Sequence, residues 1–400
     1  MINLEDKVAK LCLDKYDSLK KTGKPTETEW TVLSGVVLQS SSQELNVVSL
    51  CTGTKCLSGA ELKNTKYKEH GNRLSDSHAE ILARRAFLRY LYNQIELTLD
   101  DKNSDIFFIT NGRIKLKDVS FHFFSSQTPC GDCSIIPKQK EPADLEISRK
   151  KIKLEYSDSL DFIVGLEIID IHRTGAKCIK NDERQDPHKD GVHYHTVGPL
   201  RTKPGRGDRT LSLSCSDKIA KWNLLGVQGA LLSLMIPSIK FESIVIGGDC
   251  PYLLESMQRG LCKRFSPDQT APIIKQSKLA FAHKKGKLRI RPCPSSIVWC
   301  AVSEQPIEIA VDGYKQGATK KKKKNCSLLA SRKEIFKTFL RVYNKYIYDK
   351  KIPQHPKKAM YHHYKQYSTT YQNLWKDVRT KIIPTWPVKP LYLQECISFL

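Results

Sequence analysis

Two short segments, about fifty residues apart, carry side chains that can share a metal ion only if the chain folds in one way. The first is His78-Ala79-Glu80, and the second is Pro129-Cys130-Gly131-Asp132-Cys133. Imidazole nitrogens and cysteine thiolates are ligands that zinc prefers, and a catalytic zinc takes three of them and keeps a fourth position open. The two segments therefore predict a fold in which they meet around one zinc ion.

The surroundings of these segments indicate how they meet. A helix is predicted from about Asp76 to Leu97, capped by Asp76 or Ser77. Its buried face is predicted to contain Ala79, Leu82, Ala83, Ala86 and Tyr90. A strand is predicted over 119–127, just before Pro129. Residues two apart on a helix do not share a face, so His78 and Glu80 can serve one ion only beyond the helix end.

The rest of the chain alternates between strand and helix patterns, which favours an α/β fold. Residues 31–56 read as a β-hairpin, and strands are predicted from Phe162 and over 241–248. A helix is predicted over 219–234, and helical patterns recur in the last 70 residues. We expect a single domain over 1–400, with these additional segments: an N-terminal helix within 1–25, a surface insertion at 138–160 and a basic flexible loop at 315–327 that contains Lys320–Lys324.

Charge narrows the class of partner. The chain has 66 Lys and Arg against 42 Asp and Glu, a net charge of +24. Such a surplus favours nucleic acid first and an anionic membrane second, with a merely well-solvated basic surface as the alternative. There is no apolar run of 18 residues and no secretion signal, and the 13 cysteines suit a reducing compartment. We therefore expect an intracellular protein of the nucleus, the cytoplasm or both.

The identity of the third metal ligand stays open at this point. Cys133 and Cys215 are both candidates, and the local C-x-x-C spacing favours Cys133. A purely structural zinc would usually take four protein ligands and would have no use for Glu80. The combination of H-x-E with P-C-x-x-C is instead typical of zinc-dependent nucleoside deaminases.

Five segments resemble the family of adenosine deaminases that act on RNA, and in particular its branch specific for adenosine 37 of tRNA. They are Cys51–Cys56, Asp76–Glu80, Thr128–Asp132, Leu200–Lys203 and Ser214–Asn223. The resemblance implies a cytidine-deaminase-like three-layer α/β fold with a mixed central sheet, a zinc site at helix N-termini and added C-terminal helices. It also implies that His78, Cys130 and Cys215 hold the zinc, with Cys133 as a nearby free thiol. Glu80 would be the proton shuttle.

The same resemblance implies a second, buried cofactor, inositol hexakisphosphate. The residues that match its cage are Arg84, Arg85, Ser212, Lys218, Lys221, Tyr361, Lys365, Tyr371, Trp386 and Lys389. A polyphosphate can satisfy many buried cations at once, which would otherwise be costly. Without the resemblance, Arg84 and Arg85 would be assigned to a solvated helix face. The residues that match a polar relay between cage and zinc are Asp76, Lys203 and Lys218.

The expected reaction is hydrolytic deamination of adenosine to inosine in tRNA, at adenosine 37 of alanine tRNA, by a zinc-bound hydroxide. Thr54 and Lys55 match positions that line the nucleotide pocket, and Arg209 belongs to a basic loop, 201–209, expected beside the site to contact phosphates. We expect neither a separate double-stranded RNA-binding domain nor an obligate protein partner. The alternatives are a deaminase of other structured or double-stranded RNA, a free-nucleoside or cytidine deaminase, and a basic RNA-binding protein with a structural zinc.

Overall fold

The centre of the fold is a mixed sheet of eight strands, with helices on both of its faces. The computed structural model describes residues 2–63, 71–139, 168–180, 182–204, 209–265, 271–318, 326–348, 358–390, 393 and 397–399. The predicted α/β class with a mixed central sheet is confirmed.

The strands of the described residues fall into this large sheet and several two-stranded ones. In chain order they are β1 (Glu29–Trp30), β2 (Leu33–Gln39), β3 (Leu45–Thr52), β4 (Thr54–Cys56), β5 (Asp76–His78), β6 (Phe107–Thr110), β7 (Arg113–Leu116), β8 (Ser120–Ser125), β9 (Ile136–Gln139), β10 (Ile168–His172), β11 (Lys177–Cys178), β12 (Arg201–Thr202), β13 (Ser243–Gly248), β14 (Ile273–Ala280), β15 (Arg291–Pro292), β16 (Ser295–Cys300), β17 (Ile307–Val311), β18 (Tyr314–Lys315), β19 (Lys358–Met360) and β20 (Ile397–Phe399). The central order is β14-β13-β8-β2-β3-β16-β17-β18. Within this sheet, only the β14-β13 and β13-β8 pairs are parallel.

The described residues also form α-helices of four to 21 residues. In chain order they are α1 (Leu4–Ser18), α2 (Gly59–Lys63), α3 (Ala79–Leu99), α4 (Cys215–Leu225), α5 (Gly229–Leu232), α6 (Leu254–Gln258), α7 (Arg332–Tyr348), α8 (Tyr361–Gln366) and α9 (Thr369–Lys381). Short 3-10 turns occupy Asp132–Ser134 and Gly191–His193, and a π-helical turn, Arg259–Lys263, continues α6.

Both faces of the central sheet are apolar, because successive side chains of a strand point to opposite sides. Val36 and Phe123 lie in the cluster that α3 covers, whereas Val37 and Phe124 lie in the cluster that α1 covers. Burial of these clusters removes the main apolar side chains of the sheet from water and fixes the strand register. The sheet is therefore a rigid base for the loops at its edge.

Several local predictions are confirmed. The hairpin is β2 and β3, the strand before Pro129 is β8, and the strand predicted over 241–248 is β13. The N-terminal helix is α1, which ends at Ser18 and buries Val8 and Cys12 against the sheet. The C-terminal region is helical in α7, α8 and α9.

Two helix predictions are wrong in their bounds. Asp76–His78 is strand β5, so α3 begins at Ala79, and neither Asp76 nor Ser77 caps it. Non-local pairing with β4 holds this segment extended, and the Asp76 carboxylate accepts hydrogen bonds from lysines instead. The helix predicted over 219–234 breaks at Gly226, whose φ of +89° leaves the helical region, giving α4 and α5.

Some predictions fall partly or wholly outside the described residues. Of the predicted insertion at 138–160 the structure describes only the end of β9, and of the strand predicted from Phe162 it describes the part within β10. Lys320–Lys324 also lies outside, although Lys315 at the start of that basic segment pairs in β18. In the part of the chain that is described, no helix combines the length and apolarity needed to cross a membrane.

Candidate functional site

His78 occupies the junction between a strand and a helix. It is the last residue of β5, where it pairs with Thr54, and it directly precedes α3 with an extended backbone. Glu80 follows in the first turn of α3. Because the chain changes from extended to helical between them, both side chains serve one site despite being two residues apart. The tight approach of β4 is helped by Gly53, where a Cβ would lie 2.0 Å from the Ser77 carbonyl oxygen.

Cys130 lies in the loop that leaves the end of β8. Gly131 follows it with a φ of +105°, and a Cβ there would lie 2.3 Å from the Ser214 hydroxyl oxygen. Only glycine lets this loop pack so closely on the residue that caps α4. The close packing places Cys130 beside the first residue of that helix.

Cys215 is the first residue of α4. The Ser214 side chain caps the helix by accepting a hydrogen bond from the Asp217 N–H at 3.1 Å. The backbone N–H of Cys215 donates to the Cys130 sulfur at 3.3 Å. Both cysteines are thus held at a helix N-terminus, where backbone N–H groups and the helix dipole favour thiolates.

His78, Cys130 and Cys215 form one compact group, with a candidate ligand atom of each within 4.8 Å of the others. The His78 Nδ1 lies 3.9 Å from the Cys130 sulfur and 3.6 Å from the Cys215 sulfur. A hydrogen bond from Cys215, together with the nearby His78, holds the pKa of the Cys130 thiol well below its usual range, although burial opposes this. Two soft thiolates and one imidazole are a donor set that suits zinc.

Cys133 does not belong to this group. It is fully buried, and its sulfur faces Gly260, where a Cβ would lie 2.4 Å from it. Burial raises the pKa of the Cys133 thiol to about 12. Of the two candidates for the third position, the structure therefore brings Cys215 to His78 and Cys130, and leaves Cys133 as a neutral thiol in the core.

Glu80 is buried beside the three candidate ligands, with 3 % of its surface exposed. Among the described residues its Oε2 atom has no hydrogen-bond partner. Burial raises the pKa of the Glu80 carboxyl, while the nearby His78 partly offsets this. A buried carboxylate oxygen without a partner is costly, so this atom is available to accept a hydrogen bond from a group bound in the site.

Asp76 joins this centre to two lysines. The Lys203 ammonium group donates to both Asp76 oxygens, at 2.8 and 2.7 Å, and the Lys218 ammonium group contacts Oδ2. Burial alone would raise the pKa of the Asp76 carboxyl, but the two lysines outweigh it and hold this pKa well below its usual range. The three residues predicted to form a relay are therefore in direct contact.

The residues predicted to contact substrate lie in different environments. Thr54 and Lys55 are on β4, directly beside β5 and His78. Arg209 donates to the Cys178 carbonyl at 2.8 Å and is half-buried. The expected phosphate contact of the 201–209 loop is wrong at Arg201, which is fully buried and pairs with Asp186. Lys203 of the same loop pairs with Asp76, as expected of a relay residue.

Nine of the residues matched to a polyanion cage lie close together, and we call them the cationic region: Arg84, Arg85, Lys218, Lys221, Tyr361, Lys365, Tyr371, Trp386 and Lys389. Lys221 lies 5.1 Å from the Trp386 ring, and Tyr371 lies close enough to Arg84 to influence its pKa. Burial lowers the pKa of Lys221, and four surrounding cations lower it further; these are Lys365, Lys389, Arg84 and Arg379. Burial likewise lowers the pKa of Lys389 to about 7, with Arg332 the next cause. The Arg85 pKa falls to about 10 through burial and Arg332.

Ser212, also matched to the cage, lies shortly before α4, the helix that carries Lys218 and Lys221. Its carbonyl accepts the Lys203 N–H at 2.8 Å, and Ser212 is nearly buried. Tyr361 sits between cations, because the Lys365 ammonium and the Arg332 guanidinium each lie 5.6 Å from its ring. Cation–ring contacts of this kind are favourable but do not neutralise charge.

Comparison with known proteins agrees with this geometry. A profile of the adenosine-deaminase (editase) domain matches residues 49–390. This chain belongs to the adenosine-deaminase (editase) domain family. The matched range of this editase domain includes every candidate metal ligand and every residue of the cationic region.

Individual members of the editase family align over nearly the whole chain. The human protein named tRNA-specific adenosine deaminase 1 is 33% identical, covering 96% of this chain and 98% of that protein. Its Drosophila melanogaster namesake is 36% identical, covering 96% and 94%. The Drosophila protein named double-stranded RNA-specific editase Adar is 33% identical over 65% of this chain and 35% of that protein.

Other functional residues were not singled out from the sequence. Asp132 accepts hydrogen bonds from the Gly198 N–H at 2.6 Å and from Arg259 at 2.8 Å, which fixes the loop that carries Cys130. Trp375 lies 3.4 Å from the Lys221 ammonium group, and Arg332 is an additional cation of the cationic region. The only local signal for Asp132 was its place in the Pro-Cys-Gly-Asp-Cys segment.

Proposed function

We propose that this chain is a zinc-dependent deaminase that converts adenosine to inosine in tRNA. The observation that carries the proposal is the convergence of His78, Cys130 and Cys215 next to a buried Glu80 oxygen that lacks a partner within the described chain. The family relationship and the names of the aligned relatives support the reaction and the substrate. We further propose the three-layer arrangement of cytidine deaminases for this mixed α/β fold.

His78, Cys130 and Cys215 would hold the zinc as three protein ligands. Zinc bound by such a set lowers the pKa of a coordinated water to about 7 and so supplies a nucleophile at neutral pH. The two thiols and the imidazole suit zinc, and the Glu80 oxygen that lacks a partner among the described residues can accept a hydrogen bond from a group bound there. The Asp76 carboxylate accepts a hydrogen bond from the backbone N–H of His78 at 3.1 Å, which helps to fix the position of that residue.

Glu80 is the proton shuttle in this proposal. Its carboxylate takes a proton from the attacking water and delivers it to N1 of the adenine as the oxygen bonds to C6. It then transfers the second proton of the water to the amino group, so that the C6–N bond breaks and ammonia leaves. The raised pKa of the buried carboxyl suits a group that must both accept and release a proton.

The cationic region would hold inositol hexakisphosphate. The support is the lowered pKa of Lys221 and Lys389, since the folded chain surrounds both with further positive charge. A polyphosphate would reverse this repulsion and could accept bidentate hydrogen bonds from Arg84 and Arg85. Lys218 contacts Asp76, so the relay of Asp76, Lys203 and Lys218 would connect the polyanion to the metal ligands.

We infer that the edited base is an unpaired adenosine of the anticodon loop, adenosine 37 of alanine tRNA. Carbon 6 of a stacked adenine is out of reach, so the base must leave the stack or come from a loop. Thr54 and Lys55 lie beside His78 on β4 and would line the nucleotide pocket. Among the described residues of the 201–209 loop, Arg209 is the remaining candidate for a phosphate contact.

Inosine mapping tests the substrate. Total tRNA from cells with and without the protein is sequenced for inosine, and free adenosine, cytidine and double-stranded RNA are assayed beside purified tRNA. We expect inosine at position 37 of alanine tRNA only in cells that contain the protein. Turnover of a free nucleoside or of duplex RNA, with tRNA left unmodified, would contradict the proposal.

Substitution of the cysteines tests the ligand set. Cys215→Ala is expected to remove zinc and reduce activity below detection, because a three-ligand site loses one of its two thiolates. Cys133→Ala is the matched control, since Cys133 is an equally buried cysteine outside the group. It should keep zinc and most activity, measured by metal analysis and inosine formation. Loss of zinc in Cys133→Ala with retention in Cys215→Ala would assign the third position to Cys133.

A further inference from the structure

The segment Lys284–Arg291 is the most cation-dense part of the described chain near the sheet edge. It has five Lys and Arg in eight residues and no acidic residue. It packs on the segment that follows α1, because the Arg289 guanidinium donates to the Thr26 and Glu29 carbonyls at 2.6 and 2.7 Å. Pairing of β1 with β15 continues the contact. His283, just before this segment, packs on the Tyr16 ring, and Lys24 lies 4.6 Å from the same ring, so the basic segments 20–24 and 284–291 are neighbours on one surface.

The cations of this surface have two different roles. Lys24, Lys284 and Arg289 are half-buried and hold the surface together. They contact, respectively, the Asp17 carbonyl, Asp249 and the carbonyls after α1. The other five cations are exposed, and we call them the basic face: Lys20, Lys21, Lys285, Lys287 and Arg291. Arg291 contacts the Thr28 hydroxyl, and the described residues give none of these five an ion pair.

Two large apolar side chains lie within the basic face. Leu288 is 84 % exposed and Ile290 is 64 % exposed. Neighbouring exposed side chains of this size mark a contact surface, and the clustered cations beside them favour an anionic partner. A nucleic acid and an anionic membrane both offer phosphates, so position on the molecule must decide between them.

The basic face is continuous with the candidate active site on two sides. Lys284 pairs with Asp249, and the Thr128 hydroxyl, two residues before Cys130, donates to the carbonyl of nearby Pro251. On the other side, Cys293 follows β15, and its thiol lies near enough to Lys55 to be influenced by that ammonium group. Lys55 is itself one pairing step from His78 on β4. The basic face therefore lies on the side of the sheet that carries the candidate active site, where β8, β13 and β14 end together.

We propose that the basic face binds the phosphate backbone of tRNA outside the loop that enters the active site. This inference rests on the proposed function for its substrate and adds the surface by which the body of that substrate is held. Phosphate contacts fix register and supply affinity without reading sequence. The face therefore contributes to tRNA affinity and leaves the chemical step unchanged.

The test compares two double charge reversals in the full chain. Lys285→Glu with Lys287→Glu changes the basic face. Arg113→Glu with Lys115→Glu is the matched control. It replaces two exposed cations of the β6–β7 hairpin, which contacts α3, and so changes the net charge by the same amount. Asp105, just before that hairpin, contacts Tyr90 and Gln94 in the second half of α3. That end is roughly 20–30 Å from the start of α3, where the site lies.

The expected result is a KM for full-length tRNA raised about tenfold in the basic-face variant, with kcat and zinc content unchanged. The slope of log affinity against log salt should become shallower by about 1.5, the value for two lost phosphate contacts. The β6–β7 variant should differ from wild type by less than about twofold in KM, because only the general field changes. Equal changes in both variants, or an unchanged KM in the basic-face variant, would overturn the inference.

Binding to vesicles that contain phosphatidylserine tests whether the basic face binds a membrane instead of tRNA. If the basic-face variant loses vesicle binding but keeps wild-type tRNA affinity, the face is a membrane surface and the inference is wrong. Failure of the proposed function has a different signature. Wild type would then bind tRNA through the basic face, with the variant weakened as expected, but would form no inosine.

Discussion

Replacing Glu80 by Gln is expected to lower kcat for inosine formation in tRNA by about 10²–10⁴-fold. Gln keeps the shape of the side chain but cannot take the proton from water or pass it to the purine ring. Glu80 is buried beside His78, Cys130 and Cys215 without being one of the three clustered ligands. Zinc content and tRNA affinity should therefore stay at wild-type values, which metal analysis and equilibrium binding would measure.

Glu308 provides the matched control for this variant. It is a second buried glutamate with a pKa raised by burial, but both of its oxygens accept the Leu329 N–H, at 3.0 and 2.9 Å. Glu308→Gln should lower the thermal stability, because it weakens charged hydrogen bonds far from the site, and should leave the kcat of the folded protein unchanged. If Glu80→Gln retained wild-type kcat, Glu80 would not be the proton shuttle and a structural zinc would become the better account.

Protein made in cells that cannot synthesise inositol polyphosphates is expected to be poorly soluble and inactive. The loss of stability should be on the order of 4 kcal/mol or more, which is the stabilisation that a ligand gives at a thousand times its Kd. The reason is the cationic region around Lys221 and Lys389, where burial and like charges oppose protonation. Thermal unfolding with and without added inositol hexakisphosphate measures the effect. Normal solubility, activity and Tm in such cells would show that no polyanion is needed.

Replacing Lys221 by a neutral residue should change the free energy of unfolding. The sign of that change depends on whether the cationic region holds a polyanion. Lys221→Met should destabilise the protein if a polyanion is bound, because a contact to phosphate is lost. It should stabilise the protein if the region holds none, because a buried, repelled cation is removed. Lys376→Met, an exposed lysine on the neighbouring helix α9, is the control and should have little effect.

The pH dependence of stability separates the same two cases. The pKa of Lys389 falls from its usual 10.5 to about 7 in the folded chain. Between these values the unfolded chain binds more protons than the folded one, so stability of polyanion-free protein should rise with pH from about 7 to 10.5. With a polyanion bound, the lysines are held protonated in the folded chain, so their contribution to stability should stay constant up to about pH 10.5 and be lost only above it.

Local sequence patterns predicted most of the helices and strands. They missed the boundaries that depend on contacts between distant parts of the chain. Alternating apolar residues predicted the β2–β3 hairpin, and helical periodicity predicted α1 and the body of α3. The extended Asp76–His78 segment was missed because its conformation depends on pairing with β4, some twenty residues away. The break at Gly226 was missed because its pattern continues the helix and only the tertiary packing selects a positive φ.

The candidate site could be predicted only in part, because some of its contacts join distant parts of the chain. The H-x-E and P-C-x-x-C segments identified His78, Glu80 and Cys130, but local spacing favoured Cys133 as the third ligand. Cys215 is 85 residues from Cys130 in sequence, and only the resemblance to a known family pointed to it before the structure placed it within the group. Arg201 was assigned to a phosphate-binding loop because composition does not reveal the buried Asp186 that pairs with it.

We propose that one ion held by His78, Cys130 and Cys215 makes the chain a deaminase. The most direct measurement is the inosine yield on tRNA alongside the zinc content of the same purified protein, before chelation, after chelation and after zinc is returned. We predict one zinc per chain, loss of inosine formation when the zinc is removed, and recovery when it is restored. Full inosine formation by protein that contains no zinc, or zinc retained at one per chain when both His78 and Cys215 are replaced by alanine, would contradict the account.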